Sequence, residues 1–395
     1  MNAHSQNKKY RFPWQPGNHF KLLIDGHAFF PAMLSAIEQA QSYILLEMYL
    51  VETGSVTRQF IQALSNAADN NVKVFILLDD FGARDLNADD RNKLVHDNIF
   101  LNYYNPLHLK KHKLLLFRDH RKILVIDGNL AYIGGAGLTD DFYSADKPEL
   151  NWRDNMLEIQ GPNVNQWQNL FASNWSRWSD IDIPLRWPEP HQGSQQGRVA
   201  MTEGPHFLEI KRSAINRIRN AKKQVWLSTA YFVPSLKLRR SLRNSARRGV
   251  DVRILLPGPI TDHPMTRYLA HYYYSKLLRD NVRIFEYQPR FFHAKLIICD
   301  NWVSMGSCNI DRWNLRWNLD ANQEIEDTDF TASVIEMFEQ DFSQCREILY
   351  NDWKKRTLYN KLRAWFWIIY IRMADIALLR LRIIRHWKKF RNKRD

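Results

Sequence analysis

Through the first 350 residues, short apolar runs with period-two alternation trade places with stretches whose apolar positions recur every three to four residues. In the first half, FKLLID (20–25), YILLEMYL (43–50) and VKVFILLDD (72–80) predict strands, while FFPAMLSAIEQA (29–40) and VTRQFIQALSNAADN (56–70) predict helices. The second half repeats the order: helix SAINRIRNAKK (213–223), strand QVWLSTAYFV (224–233), helix LKLRRSLRNSARRG (236–249) and strand VDVRILLPG (250–258). Ala36-Ile37 answers Ala214-Ile215, and Val72 answers Val250, which marks an internal duplication of βα units. Between the halves, residues 179–200 carry Pro184, Pro188, Pro190, Gly193 and Gly197, a composition that breaks helix and strand alike. The expected architecture is α/β: two similar lobes, residues 18–178 and 201–352, each a mixed β-sheet flanked by helices. A basic and aromatic segment (1–17) precedes them, a linker (179–200) joins them and a tail (353–395) follows.

Charge changes this picture only at the tail. The chain has a formal net charge of +14, but residues 353–395 hold fourteen Lys or Arg against two Asp, so the two lobes together are nearly neutral. That distribution argues against a general nucleic-acid surface over the body. The three cysteines, Cys299, Cys308 and Cys345, include no CxxC pair, so neither a disulfide framework nor a thiolate zinc site is expected. The N-terminal stretch MNAHSQNKKYRFPWQPGN has no apolar core of signal-peptide length, and export by that route is not expected.

Chemistry concentrates in two otherwise apolar stretches. FRDHRKILVID (117–127) and FFHAKLIICD (291–300) carry the same spacing: His120, Lys122 and Asp127 in one, His293, Lys295 and Asp300 in the other. On a strand, positions i and i+2 share a face, so each histidine stands beside a lysine. Two lobes related by a pseudo-twofold axis would bring the pairs together, with two ammonium groups to neutralise a phosphate and an imidazole on either side of phosphorus. One neutral imidazole then attacks in line and the other, protonated, donates to the departing alkoxide. No metal or other cofactor is called for. By strand parity Asp127 and Asp300 face away from the histidines and act as structural charge partners.

The motifs HRKILVIDGNLAYIGGAG (120–137) and HAKLIICDNWVSMGSCN (293–309) closely resemble the HKD signature of the phospholipase D superfamily, with the likeness covering residues 18–350. The resemblance implies a catalytic set of His120, Lys122, Asp127, His293, Lys295 and Asp300, with a covalent phosphohistidine on His120 and His293 as acid and then base. It places Gly135, Ser307, Asn309 and Glu47 in phosphate support. It also implies a carboxylate to fix each imidazole tautomer, offered by Asp154 in WRDNMLEIQGP and Asp320 in WNLDANQEI. The family's first-motif asparagine falls on Gly137 here, so one amide donor is missing. Within the superfamily, ILLEMYL with Glu47, TAYFVP with Tyr231, WRDNMLEIQGP and IFEYQPRFFHAK look most like bacterial cardiolipin synthases. That likeness implies phosphatidyl transfer from one phosphatidylglycerol to another, releasing glycerol.

The tail fits a lipid substrate. AWFWIIYI (364–371) is too short to span a bilayer, whereas Arg372, Asp375, Arg382, Arg385 and Lys389 form one helical stripe opposite apolar residues. An interfacial helix on an anionic phospholipid membrane is expected, at the cytoplasmic face of a bacterial cell. The rival readings are a phospholipase D-type phosphodiesterase or a nuclease, for which HLKKHKLLLFRDHRK (108–122) could hold nucleic-acid phosphates, and a non-catalytic membrane scaffold.

Overall fold

The computed structural model describes residues 10–106, 117–189, 193–204, 207–309, 311, 317–357 and 366. Two sheets carry the same strand order. The first runs Ile99–Tyr104, Lys73–Asp79, Tyr43–Met48, Lys122–Ile126, Leu130–Gly134, Asn155–Gln160, Gln15–Ile24. The second runs Arg283–Tyr287, Asp251–Pro257, Gln224–Ser228, Leu296–Cys299, Trp302–Gly306, Asn318–Glu326, Gln195–Glu203, with Cys345–Glu347 added outside Arg283–Tyr287. In each, the first three strands are parallel and the rest antiparallel, a mixed sheet built twice over. The duplication read from the sequence is therefore a duplication of topology.

Period-two alternation sorts each strand between two cores. Tyr43, Leu45, Phe75 and Leu77 point inward to a shared core, and Ile44, Leu46, Val74, Ile76 and Leu78 point outward. The shared core also takes Val125 and Val303 from the two sheets, and it encloses the helices Asn163–Trp175 and Thr328–Ser343 through Trp167, Trp175, Val334 and Phe338. Outside the first sheet lie helices Gly26–Glu38 and Ser55–Asp69; outside the second lie Glu209–Asn220, Leu236–Arg247 and Pro264–Arg279. The outcome is five layers, helix–sheet–helix–sheet–helix, with the two sheets back to back across a common interior.

Several expected boundaries move. The first six residues of Gln195–Glu203 fall in the expected linker yet belong to a largely buried strand, because its backbone is paired along Asn318–Glu326. The strand expected to run to Val233 stops at Ser228, where Thr229 Oγ1 turns back to donate to the Tyr231 carbonyl at 3.1 Å and Pro234 follows. The first sheet starts at Gln15, and Tyr10 and Trp14 stack on the buried Arg198, so these aromatics belong to the lobes and not to a separate segment. Trp353, placed in the tail by its sequence, is buried against Tyr274 and donates to Ser275 Oγ at 3.1 Å. Among the described residues no helix is long and apolar enough to cross a membrane. The amphipathic stripe from Arg372 onward and residues 108–116 of the basic stretch lie outside the described residues.

Candidate active site

Neither histidine sits within a strand. Lys122 opens the strand Lys122–Ile126, and Leu296–Cys299 begins just after Lys295, so each histidine occupies the irregular residues leading in. What holds it there is the other half of the chain. The His120 N–H donates to the Leu319 carbonyl at 2.9 Å, next to the parallel pairing of Arg118-Asp119 with Asn318-Leu319. The His293 N–H donates to the Arg153 carbonyl at 2.8 Å, beside the bridge between Arg153 and Phe292.

The imidazoles are exchanged in the same way. His120 Nδ1 lies 2.9 Å from Asp320 Oδ1, and His293 Nδ1 lies 2.6 Å from Asp154 Oδ2, so each ring is oriented by a carboxylate from the opposite lobe. An ionised carboxylate only accepts, so Nδ1–H is the donor and Nε2 keeps its lone pair. Sequence singled out both aspartates but could not say which served which histidine. Position 135/307 supports both carboxylates by different means. Ser307 Oγ donates to Asp320 Oδ1 at 2.8 Å, while at Gly135 any Cβ would stand 2.4 Å from Asp154 Oδ2.

Between the two rings opens a cleft of about 500 Å³ that both histidines and Lys122 line. The Lys122 ammonium donates to its own histidine's carbonyl at 2.6 Å and rests 4.9 Å from the Tyr49 ring centroid. Lys295 Nζ makes the equivalent bond to the His293 carbonyl and also lies 2.8 and 3.0 Å from the His293 ring nitrogens. The environments differ further. His293 is caged by Phe142, Trp152 and Phe291, with centroids 5.4–5.7 Å away, whereas His120 has Tyr49 at 4.9 Å. Burial, reinforced by Lys295, pushes His293 down to about 4; burial and Lys122 also lower His120. Burial brings Lys122 to about 7, helped by the charge of Lys295, and Lys295 to about 8. Asp154 is held below the ordinary carboxylate range: burial acts against this, and Lys295 and His293 together outweigh it.

The remaining expected residues fall into place differently. Asp127 and Asp300 lie outside the cleft, at matching positive φ of 53° and 52°. Each accepts three backbone N–H groups, Gln41, Ser42 and Tyr43 for Asp127, Lys222, Lys223 and Gln224 for Asp300, at 2.7–3.1 Å. Their partners are amides at the start of the central strand and not side-chain cations, so each aspartate staples the turn after its motif strand to its neighbour. Glu47, grouped with phosphate support by sequence, turns away into a buried cluster, 2.6 Å from Arg121 and accepting from Asn174 at 2.9 Å. Asn309 is fully buried, accepts from Thr229 Oγ1 at 3.3 Å, and keeps its Nδ2 donor unpaired among the described residues. At Gly137, its first-lobe counterpart, an added Cβ would lie 2.6 Å from the Leu50 carbonyl, so the first lobe has no room for the missing amide.

Sequence reasoning missed Tyr49, Arg84, Asp141, Phe142, Trp152 and Asp262 in the cleft wall. Tyr49 and Trp152 had a signal available, since each lies two residues from a residue already singled out, Glu47 and Asp154. Phe142 and the rim carboxylates come from loops after the strands, where no periodicity points to a site.

Comparison with known proteins agrees with this geometry. The family profile described as "Cardiolipin synthase, PLD-like domain" matches residues 33–175 and 214–342, one match in each lobe. A cardiolipin synthase of Clostridium perfringens (strain SM101) is 30% identical over 374 residues, covering 92% of this chain and 77% of that protein. Cardiolipin synthase A of Pseudomonas putida (strain W619) is 33% identical over 356 residues, 87% of this chain and 73% of its own. Among solved structures, phosphatidylserine synthase of Haemophilus influenzae Rd KW20 superposes with a TM-score of 0.68 over 93% of this chain and 97% of that one, at 13% identity. With the duplicated sheet, the paired histidines and these matches together, the chain belongs to the phospholipase D-like, cardiolipin synthase family of phosphatidyltransferases.

Proposed function

We propose that the chain transfers a phosphatidyl group from one phosphatidylglycerol to the hydroxyl of a second, forming cardiolipin and releasing glycerol. The observation that carries this reading is the pair of cross-lobe His–Asp couples facing one cleft, each histidine with a buried lysine bonded to its own carbonyl. His120 is the attacking group. Its Nδ1 is committed to Asp320 and its Nε2 has no partner among the described residues, while His293 Nε2 lies 3.0 Å from an ammonium. Attack on phosphorus forms the N–P bond and breaks the P–O bond to glycerol, whose oxygen takes the proton from His293. His293 then removes the proton from the incoming hydroxyl, that oxygen attacks phosphorus, and the N–P bond breaks.

Burial holds His293 neutral and leaves Lys122 only partly protonated near neutral pH. An entering phosphodiester supplies the negative charge that restores their protons, so the acid is armed by its own substrate. Asn309 Nδ2, buried and without a partner among the described residues, is the amide donor assigned to a phosphate oxygen. Asp127, Asp300, Gly135 and Ser307 act by positioning. The two lobes, expected at residues 18–178 and 201–352, also take in Tyr10, Trp14, the strand Gln195–Glu203 and Trp353, and the basic tail holds the enzyme peripherally on the cytoplasmic face of a bacterial membrane. The test is mass spectrometry of lipid products from phosphatidylglycerol in mixed micelles. Cardiolipin and glycerol in equal amounts are expected. Phosphatidic acid alone would make the chain a hydrolase, and nicked plasmid with intact lipid would make it a nuclease.

A further inference from the structure

A second cavity, of about 310 Å³, shares no residue with the catalytic cleft. It opens at the outer edge of the second sheet, between the helix Pro264–Arg279, the strand Cys345–Glu347 and the helix Tyr350–Lys354. Three arginines line it, Arg267, Arg346 and Arg356, with Trp353 behind them.

Most of the acidic groups there are already committed. Glu286 accepts from Arg267 at 2.7 Å and Tyr274 at 3.2 Å and pairs with His271 at 3.0 Å, and Glu347 is held in a two-point bond by Arg283 at 2.8 and 2.9 Å. Asp352 is exposed and faces water. The arginines are not equally matched. Arg356 stacks its guanidinium 3.2 Å from the Trp353 ring centroid and donates Nε to the Trp353 carbonyl at 2.9 Å. Its Nη1, buried, has no partner among the described residues, and neither has the buried Nε of Arg267. Burial lowers Arg356 to about 10. Buried guanidinium donors left open beside a cavity call for an anion, since each is costly to leave unmade. The fork of an arginine matches two oxygens of one phosphate. Ile348 and Leu349 give the same cavity an apolar wall, and the chain passes from Arg356 directly into the basic tail.

We propose that this cavity is a second phosphate-binding site, taking the phosphate of a lipid headgroup or a small soluble phosphate through Arg346, Arg356 and Nε of Arg267. It lies on the helix whose start follows Asp262 and His263, two residues of the catalytic cleft wall.

Two tryptophans make the sites separately readable, because Trp353 packs in this cavity and Trp152 packs on His293. Full-length protein labelled with 5-fluorotryptophan, with the resonances of Trp353 and Trp152 identified among its fourteen tryptophans by Trp353→Phe and Trp152→Phe, is titrated with inorganic phosphate. Both resonances are expected to shift, with independent saturation. In Arg346→Gln/Arg356→Gln the Trp353 response should need at least about tenfold more phosphate, the loss of roughly one charged hydrogen bond, and Trp152 should respond as before. The single exposed substitution Arg346→Gln guards against a folding artefact and should give an intermediate shift. Nanodiscs with phosphatidylglycerol against phosphatidylcholine alone separate the sources: a Trp353 response to the former at far lower phosphate concentration identifies a lipid headgroup, and a response to free phosphate only identifies a soluble ligand. If Trp353 stays still while Trp152 moves, or moves equally in the double variant, the site does not exist. Cardiolipin formation in micelles by the double variant keeps this result separate from the catalytic reading.

Discussion

Gly135→Ala is a one-methyl test of how the site is aligned. A Cβ there would stand 2.4 Å from Asp154 Oδ2, and two further carboxylate atoms lie within 2.9 Å. Ordinary contact needs about 3.4 Å, so one partner must retreat by about 1 Å. The glycine is fixed by its place beside Gly134, where the strand ends against Asn155 and Met156. Asp154 must therefore move, although it is fully buried and tied to the Asn155 N–H at 2.7 Å. Lengthening its 2.6 Å bond to His293 by that much removes the hydrogen bond, which for a charged acceptor is worth about 1.5–3 kcal/mol. Misplacement of a catalytic group by about 1 Å corresponds to a fall of about 100-fold in kcat. The assay is cardiolipin formation in mixed micelles, with thermal unfolding measured alongside. Ser307→Ala, on the other lobe, removes one donor from Asp320 without pushing it and should cost about tenfold or less. Near-normal kcat in a folded Gly135→Ala enzyme, or a larger loss in Ser307→Ala, would refute the claim that the Asp154–His293 contact sets the rate.

His120→Ala and His293→Ala should each abolish turnover while leaving unfolding temperatures close to the parent; rapid acid-free quenching with labelled phosphatidylglycerol should trap a phosphoenzyme only when His120 is present. Lys122 and Lys295 titrate near 7 and 8 in the fold against an ordinary 10.5, so between about pH 7 and pH 10 the unfolded chain binds more protons. Their penalty on stability is full below pH 7 and fades as pH rises to 10.5; Lys122→Met should flatten that part of the stability–pH curve, and a curve unchanged by the substitution would contradict the assignment. Truncation should be made after Thr357, because Trp353 is part of the second lobe's outer core. The truncated enzyme should lose sedimentation with anionic vesicles and keep turnover in micelles, and equally tight vesicle binding would place the membrane contact in the lobes. Activity should survive EDTA; loss restored by a divalent ion would count against a purely histidine-based mechanism.

Much of the fold was legible because the signals were redundant. The central strands of the parallel core read as short apolar runs, and the duplication let each half check the other. The limits were set by long-range pairing. Gln195–Glu203 looked like linker because its glycine and glutamines carry no strand periodicity; it is a strand because Asn318–Glu326 offers a full edge. At the site, spacing found both histidines and both lysines and the family resemblance suggested both orienting aspartates, yet neither gave the exchange between lobes, which is a fact of assembly. Glu47 illustrates the opposite error. The likeness of its segment to cardiolipin synthases pointed to chemistry, but Arg121, lying between the motif histidine and lysine, draws the carboxylate into a buried cluster.

The exchange of carboxylates between lobes has a historical consequence. Half of this chain would carry a histidine and a lysine but would lack the aspartate that aligns them, so a single repeat could work only as a symmetric pair of identical chains. In such a dimer every substitution appears twice, and both imidazoles must share one environment. Joining the copies in one polypeptide lifts that restriction. Glycine can then clear space for one aspartate while serine donates to the other, three aromatic rings can enclose one imidazole and leave its twin open, and an asparagine can persist beside one motif where its counterpart has become glycine. Attacking group and proton donor are unlike tasks, and fusion is what permits each site to specialise.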